Sequence, residues 1–173
     1  MYQEFYNLRA MPFQISPDPH FFFDSECHHR ALAYFRFGLF KGEGFLVITG
    51  EVGAGKTILA GTLLNELAER EDVVVGNIVT SQLQADDLIR IVASSFGIRH
   101  KGLDKATILE SVREFLLECA SEDRKALLVV DDAQDLRSDA LEELRILSNL
   151  QDHGRALIQI FLLGQAEFRE ILN

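Results

Sequence analysis

Short apolar runs alternate along the chain with longer segments in which apolar residues recur every three or four positions. Runs of this length that are rich in β-branched residues predict buried strands, here at residues 45–49, 73–80, 126–130 and 156–163. The longer segments predict helices at residues 25–40, 57–69, 85–96, 105–120 and 138–150, with Ser138 as the cap of the last one. Strands that are apolar throughout and alternate with helices indicate a mostly parallel sheet covered on both faces, in a three-layer α/β sandwich.

The N-terminal segment differs from this pattern because it holds all three prolines of the chain, Pro12, Pro17 and Pro19. Proline keeps the residue before it out of the helical region, so we expect residues 15–20 to form a non-helical arm. Phe13 and the run 21–23 make the arm too apolar for a disordered tail. We therefore expect residues 1–40 to be an arm and a helix that pack on a core formed by residues 41–173.

Composition describes one ordinary globular domain, since the 173 residues are 47% apolar and 25% charged. The formal net charge is -10, and acidic residues outnumber basic ones in both halves. Phosphate contacts need clustered Lys and Arg, so we expect no DNA binding from this chain alone. Two widely spaced cysteines, no apolar run of membrane-spanning length and no export signal indicate the cytoplasm.

The first candidate for a functional motif is the glycine-rich segment 50–57, which matches G-x-x-x-x-G-K-[ST]. It lies between the first predicted strand and the helix that follows it. Backbone amides of such a loop surround phosphate oxygens, and the helix that follows adds the positive end of its dipole. We expect Lys56 to reach the β- and γ-phosphates of ATP or ADP and the Thr57 hydroxyl to hold Mg²⁺. The predicted nucleotide contacts are Gly50, Glu51, Val52, Gly53, Ala54, Gly55, Lys56, Thr57 and Ile58.

A second element is the apolar strand 126–130, which delivers Asp131 and Asp132 at its carboxyl end. Open α/β sheets place ligand chemistry at this edge. We expect Asp131 to bind Mg²⁺ opposite Thr57, and Asp132 to orient and activate the attacking water. Alone, the two acids indicate no more than a solvated turn. Together with the phosphate loop they favour an ATPase over a GTPase, whose N-K-x-D motif is missing from the sequence.

With these residues placed, the chain resembles the AAA+ ATPases of the general secretion pathway protein A type (ExeA/GspA), in particular the secretion ATPases of exosortase and exopolysaccharide loci. The stretches that carry the resemblance are 5–6, 12–13, 16–23, 29–34, 38–39, 43–57, 131–134 and 163–165. The resemblance implies five parallel strands with the phosphate-loop strand central, followed by a helical lid. It also implies ATP hydrolysis between neighbouring subunits, so we expect self-association through the nucleotide site in the full-length protein.

Two departures from the family pattern affect the expected activity. The family's D-E-A-Q motif has glutamate where this chain has Asp132, which is shorter by one C–C bond of about 1.5 Å. Water positioning is sensitive to about 1 Å. From the resemblance we also expect the lid, its sensor arginine and the fifth strand to lie beyond Asn173. We therefore expect slow hydrolysis by this chain alone.

Several further residues have two interpretations each. The superfamily carries a γ-phosphate sensor just after the fourth strand, so Gln165 is either a catalytic residue or a turn former. Arg155 and Arg169 are either trans-acting fingers or solvated surface residues. His28 and His29 are interpreted as helix-surface residues, because no Cys or carboxylate partner has metal-ligand spacing.

Three functions are compatible with these features of the sequence. The first is an ATPase that couples nucleotide state to a secretion or envelope-assembly machine, with inner-membrane secretion or exopolysaccharide components as partners at the cytoplasmic face of the membrane. The alternative is a nucleotide-switched DNA adaptor like the transposition ATPases MuB and TniB, which the charge disfavours. A small-molecule kinase is a third class, disfavoured because the sequence shows no Arg-rich lid or acceptor pocket between the motifs.

Overall fold

The computed structural model describes residues 5–7, 23, 25–42, 44–79 and 84–171. Most of the predicted arm, including Phe13, Phe21 and Phe22, lies outside the described residues, and so does the predicted end of the second strand at Thr80. Phe23 is described and is 80% exposed, so the expectation that the whole 21–23 run packs on the core is wrong for this residue.

Strands and helices alternate in the described chain as the apolar pattern predicts. The main elements, in order, are α1 (Glu26–Lys41), β1 (Phe45–Thr49), α2 (Lys56–Ala68), β2 (Val73–Val79), α3 (Ala85–Ser95), α4 (Lys105–Ser121), β3 (Lys125–Asp131), α5 (Ser138–Ser148), β4 (Gln151–Asp152), β5 (Arg155–Ala156), β6 (Ile158–Gly164) and α6 (Phe168–Ile171), with a 3-10 turn at Ala133–Asp135 after β3.

Four strands form one parallel sheet in the order β1-β6-β3-β2. The register pairs Thr49 with Gly164 and Val79 with Asp131, so the carboxyl ends of all four strands meet at one edge. Among the described residues β1 is an outer strand of this sheet. The central place that the family resemblance implies for the phosphate-loop strand is therefore not observed in this part of the chain.

Side chains that alternate along the central strands supply a core on each face of the sheet. Leu127 and Val129 of β3 pack with Phe161 of β6 against α1 and α2. Leu128 and Val130 point to the opposite face, where α3, α4 and α5 cover them. The predicted three-layer α/β sandwich is thus confirmed.

Side chains cap the starts of α1 and α4, whereas α2, α3 and α5 begin without a side-chain cap. The Ser25 hydroxyl accepts the His28 N–H at the start of α1, and Gly42 ends that helix in the left-handed conformation with φ 78°. The prediction that Ser138 caps α5 is wrong, because Ser138 is the first helical residue and Arg137 holds the cap position. The Asp139 carboxylate accepts the Ala140 N–H in the first turn of this helix.

The last predicted strand, 156–163, is divided in the structure. Arg155–Ala156 pairs antiparallel with Gln151–Asp152 in a small hairpin, and β6 begins only at Ile158. Between them the Leu157 N–H donates to the Leu150 carbonyl at 2.8 Å instead of joining the sheet. Within the described ranges, no helix has the length and apolarity of a membrane span.

Candidate functional site

The glycine-rich segment forms a loop between β1 and α2 at the carboxyl edge of the sheet. Gly53 and Gly55 have φ of 79° and 81°, a left-handed conformation that side chains other than Asn and Asp rarely adopt. The Gly50 N–H donates to the Gly164 carbonyl at 3.1 Å, and the Leu59 N–H donates to the Gly55 carbonyl at 2.9 Å. The loop is therefore joined to β6 at its start and to α2 at its end.

Lys56 lies at the first position of α2, and its side chain folds back over the loop. Its ammonium donates to the carbonyl oxygens of Gly50 and Glu51, both at 2.9 Å. Thr57 is exposed and Ile58 half-buried on the same first turn. The first turn of a helix leaves backbone N–H groups without helical partners, so the loop presents amides, an ammonium and a hydroxyl together.

The two acids lie where β3 ends. Asp131 is 3% exposed, and its Oδ1 accepts the Asp132 N–H at 3.0 Å. Asp132 is half-buried and has φ 55° and ψ 40°, the left-handed conformation that aspartate and asparagine tolerate better than other side chains. The strand order places β6 between β1 and β3, so the acids and the phosphate loop lie at the same edge, two strands apart.

Gln134 links the acids to the neighbouring loop, a contact that sequence reasoning missed. Its amide nitrogen donates to Asp132 Oδ1 at 3.2 Å, and its Oε1 accepts the backbone N–H of Gln165 at 3.0 Å. Gln165 thus reaches this network through its backbone, whereas the predicted sensor role concerns its side chain. The sequence signal for this residue is its place at the end of the family's D-E-A-Q motif, which does not say what the glutamine contacts.

His28 lies on the surface of α1 as predicted, and it also contacts the phosphate loop, which the sequence did not predict. Its Nε2 lies 2.9 Å from the Ala54 carbonyl oxygen, inside the phosphate loop, although 26 residues separate the two in sequence. On the other side of the ring, Nδ1 lies 3.0 Å from Ser25 Oγ and 3.1 Å from the Phe23 carbonyl oxygen. His29, in contrast, is exposed as expected. Over the described residues, no group of three or more His, Cys, Asp or Glu has the arrangement of a metal cluster.

The two arginines weighed as trans-acting fingers lie in different places. Arg169 Nε donates to the Thr49 hydroxyl at 2.6 Å, directly before the phosphate loop. Arg155 is exposed in the hairpin at the opposite end of the sheet. Arg169 therefore contacts the edge of its own site, in cis.

Comparison with known proteins was made on the whole chain. The model of the AAA domain family matches residues 40–172. General secretion pathway protein A of Aeromonas hydrophila is 35% identical over 174 aligned residues, which cover 100% of this chain and 31% of that protein. The chain therefore spans about a third of the length of this curated relative.

Three solved structures share the fold. Cdc6p from Pyrobaculum aerophilum has a TM-score of 0.67 at 20% identity, covering 91% of this chain and 42% of its own. The ORC1 protein of Aeropyrum pernix in complex with DNA has a TM-score of 0.60 at 20% identity, and the match covers 90% of this chain and 42% of the ORC1 chain. The ORC2 protein of the same organism, in ADPNP-ADP complexes, has a TM-score of 0.58 at 17% identity. The match covers 82% of this chain and 41% of the ORC2 chain. At these identities the likeness establishes the architecture alone, so the function has to be argued from the residues of the site.

Proposed function

The chain belongs to the AAA domain family, and we propose that it binds ATP or ADP with Mg²⁺ and hydrolyses ATP at the carboxyl edge of its sheet. The observation that carries the proposal is the phosphate loop, in which the Lys56 ammonium lies against the carbonyls of Gly50 and Glu51 at the start of α2. The bound adenine nucleotides of the ORC2 protein, which has the same fold, are consistent with this choice of ligand.

The residues at the edge fit a magnesium ion. The Asp131 carboxylate and the Thr57 hydroxyl are hard oxygen ligands, which Mg²⁺ prefers, and we assign both to the metal. One Asp131 oxygen already accepts the Asp132 N–H, which fixes the orientation of the carboxylate. When bound, the ion neutralises charge on the β- and γ-phosphate oxygens.

The remaining assignments concern water and the γ-phosphate. Asp132 is the base that orients the attacking water, and Gln134 positions it through the 3.2 Å hydrogen bond. Gln165 stands beside this pair, and its side chain remains our proposed γ-phosphate sensor. Hydrolysis by this chain alone is expected to be slow, because we propose that a neighbouring subunit completes the site.

A lysine replacement tests nucleotide binding. Lys56→Ala removes the ammonium assigned to the β- and γ-phosphates, and charge-assisted hydrogen bonds of this kind are the strong ones. Calorimetry should show ADP·Mg²⁺ binding to the parent chain and none to the variant at the same concentrations. Lys41→Ala is the matched control, since Lys41 is at the far end of α1, about 20 Å from His28 along the helix. Equal affinity in the parent and a folded Lys56→Ala variant would falsify the site.

We further propose that the nucleotide state controls a secretion or envelope-assembly machine at the cytoplasmic face of the inner membrane, and that the full-length protein self-associates through the nucleotide site. The support is the 35% identity to General secretion pathway protein A over the whole of this chain. Full-length protein should retain inner-membrane secretion or exopolysaccharide components on an affinity column with ATP and release them with ADP. Salt-sensitive DNA binding without such retention would favour the adaptor alternative instead.

A further inference from the structure

His28 joins α1 to the phosphate loop, and the histidine itself lies outside the glycine-lysine motif to which its partner Ala54 belongs. A carbonyl oxygen only accepts, so the 2.9 Å contact with Ala54 requires that Nε2 carry a proton and donate it. Nδ1 lies 3.0 Å from the Ser25 hydroxyl, from which it accepts in the neutral ring, and 3.1 Å from the Phe23 carbonyl oxygen, to which it donates in the charged ring; in both forms Nε2 carries a proton. The imidazole is thus held between the start of α1 and the loop.

The helix that carries this histidine is anchored independently of it. Phe35 and Leu39 of α1 are buried in the core, and the Phe35 ring lies 5.0 Å from that of Phe161. The buried Gln159 amide donates to the Gly38 carbonyl at 2.9 Å, which ties α1 to β6. His28 therefore connects the phosphate loop to a helix that is held in place by its own packing.

The carbonyl that His28 binds determines the direction of a neighbouring amide. The Ala54 C=O and the Gly55 N–H belong to one planar trans peptide, so they point in opposite directions. With the carbonyl held towards His28, the Gly55 N–H points away from α1. Gly55 is the cap residue of α2, with φ 81°, and its amide is one of the loop amides that the sequence motif predicts to surround phosphate.

The approach is close enough to restrict position 55 as well. A Cβ added at Gly55 would lie 3.0 Å from His28 Nε2, in addition to the strain of its left-handed backbone. A side chain at this position would push the imidazole away from the Ala54 carbonyl. The contact between His28 and the Ala54 carbonyl therefore depends on the absence of a side chain at Gly55.

We propose that His28 is a positioning residue that fixes the Ala54–Gly55 peptide so that the Gly55 amide is preset for a nucleotide phosphate. The proposal rests on the proposed function and names a contribution from α1, outside the motif. It predicts that loss of the Nε2 donor weakens binding of ligands with a β-phosphate and leaves nucleoside binding unchanged.

Two variants separate the donor from the shape of the ring. His28→Phe keeps a planar ring without a donor, and His28→Gln keeps a side-chain N–H at the same number of bonds from Cβ. A net hydrogen bond is worth about 0.5–1.5 kcal/mol, so ADP·Mg²⁺ should bind the Phe variant roughly two- to tenfold more weakly, and the Gln variant within about twofold of the parent. His153→Phe, on a histidine whose side chain is 94% exposed in the hairpin, should change nothing.

The readouts are calorimetry with ADP, a competition assay with adenosine, and the NMR position of the Gly55 amide in nucleotide-free protein. The Gly55 resonance should shift in the Phe variant and return in the Gln variant. An unchanged resonance, an equal loss in both variants, or an equal loss for ADP and adenosine would overturn the proposal. Failure of the parent chain to bind ADP would instead refute the proposed function, and the Gly55 resonance would still decide whether His28 orients the peptide.

Discussion

Replacing Asp132 by asparagine and by glutamate separates the charge of this carboxylate from the backbone conformation that presents it. Asp132 has φ 55° and ψ 40°, in the left-handed region, where Asn and Asp are several-fold enriched over other side chains. Asparagine therefore keeps the backbone and the Oδ1 that accepts from Gln134, and it loses only the negative charge. Glutamate keeps the charge and loses the conformational preference.

The expected sizes follow from this geometry. The left-handed conformation costs an ordinary L-residue roughly 1–2 kcal/mol, part of which aspartate already pays, so the glutamate variant should lose about 1 kcal/mol of unfolding free energy. For a chain of this length that loss lowers Tm by about 2–4 °C. The added methylene displaces the carboxylate by about 1.5 Å. Reach alone would make the longer acid faster, but the left-handed backbone at position 132 favours aspartate over glutamate. Since misplacement by about 1 Å costs on the order of 10²-fold in rate, we expect the backbone to decide and turnover to fall, although glutamate is the family's usual residue.

The assay is ATP hydrolysis by the full-length protein at saturating ATP, with thermal unfolding and ADP affinity measured on the same samples. Asp132→Asn should lower turnover by about 10²–10⁴, the usual contribution of a general base, with Tm and ADP affinity unchanged. Asp132→Glu should lower both turnover and Tm.

Asp123→Glu is the matched control, because Asp123 has φ 56° in the turn before β3, at the other end of the sheet. It should lower Tm by a similar amount and leave hydrolysis unchanged. Faster turnover in an Asp132→Glu protein of unchanged Tm would refute the argument from backbone conformation. Hydrolysis at the parent rate by Asp132→Asn would remove Asp132 as the base.

Three further outcomes are expected. Asp131→Asn should weaken ADP binding more with Mg²⁺ than without it in calorimetry, since Oδ1 is kept for the Asp132 N–H and only the metal ligand loses charge; an equal loss under both conditions would make Asp131 structural. Phe35→Ala should cost about 3–5 kcal/mol in urea unfolding, because the fully buried ring packs on Phe161; a cost under about 1 kcal/mol would show that α1 does not depend on this contact. Burial raises the pKa of the Cys119 thiol, so less thiolate forms at a given pH, and alkylation near pH 8 followed by mass spectrometry should label exposed Cys27 well before Cys119; equal labelling rates in folded protein would contradict the buried environment.

The sheet was predictable because its strands are continuous apolar runs, and burial on both faces demands such runs. The first strand was predicted with the bounds Phe45–Thr49 that the structure has, and the third differs by one residue at each end. The hairpin after α5 was not predicted, since Gln151–Asp152 and Arg155–Ala156 are too short and too polar to show a period. The sequence therefore predicts a single strand over residues 156–163, where the structure has the second strand of the hairpin followed by β6.

The candidate site likewise contains residues that the sequence predicts and contacts that it does not predict. Lys56, Thr57 and Asp131 follow from local patterns, because a glycine-rich loop and a strand end are contiguous in sequence. The contact between His28 and Ala54 joins residues 26 positions apart, and no local pattern encodes it. The left-handed backbone at Asp132 is equally hidden, because aspartate occurs far more often in ordinary conformations. What sequence reasoning missed are the contacts that orient the motif, not the motif itself.

These orienting contacts bear on the conformational cost of nucleotide binding. The loop backbone is held at three points: by Gly164 on β6, by the first turn of α2, and by His28 on α1. The group that must move is the Lys56 ammonium, which would exchange two neutral carbonyl acceptors for charged phosphate oxygens. Hydrogen bonds between two charged partners are stronger than those to a neutral carbonyl, so the exchange is favourable. We expect this side chain to reorient and the backbone to stay in place, so that most of the interaction energy with phosphate remains available as affinity.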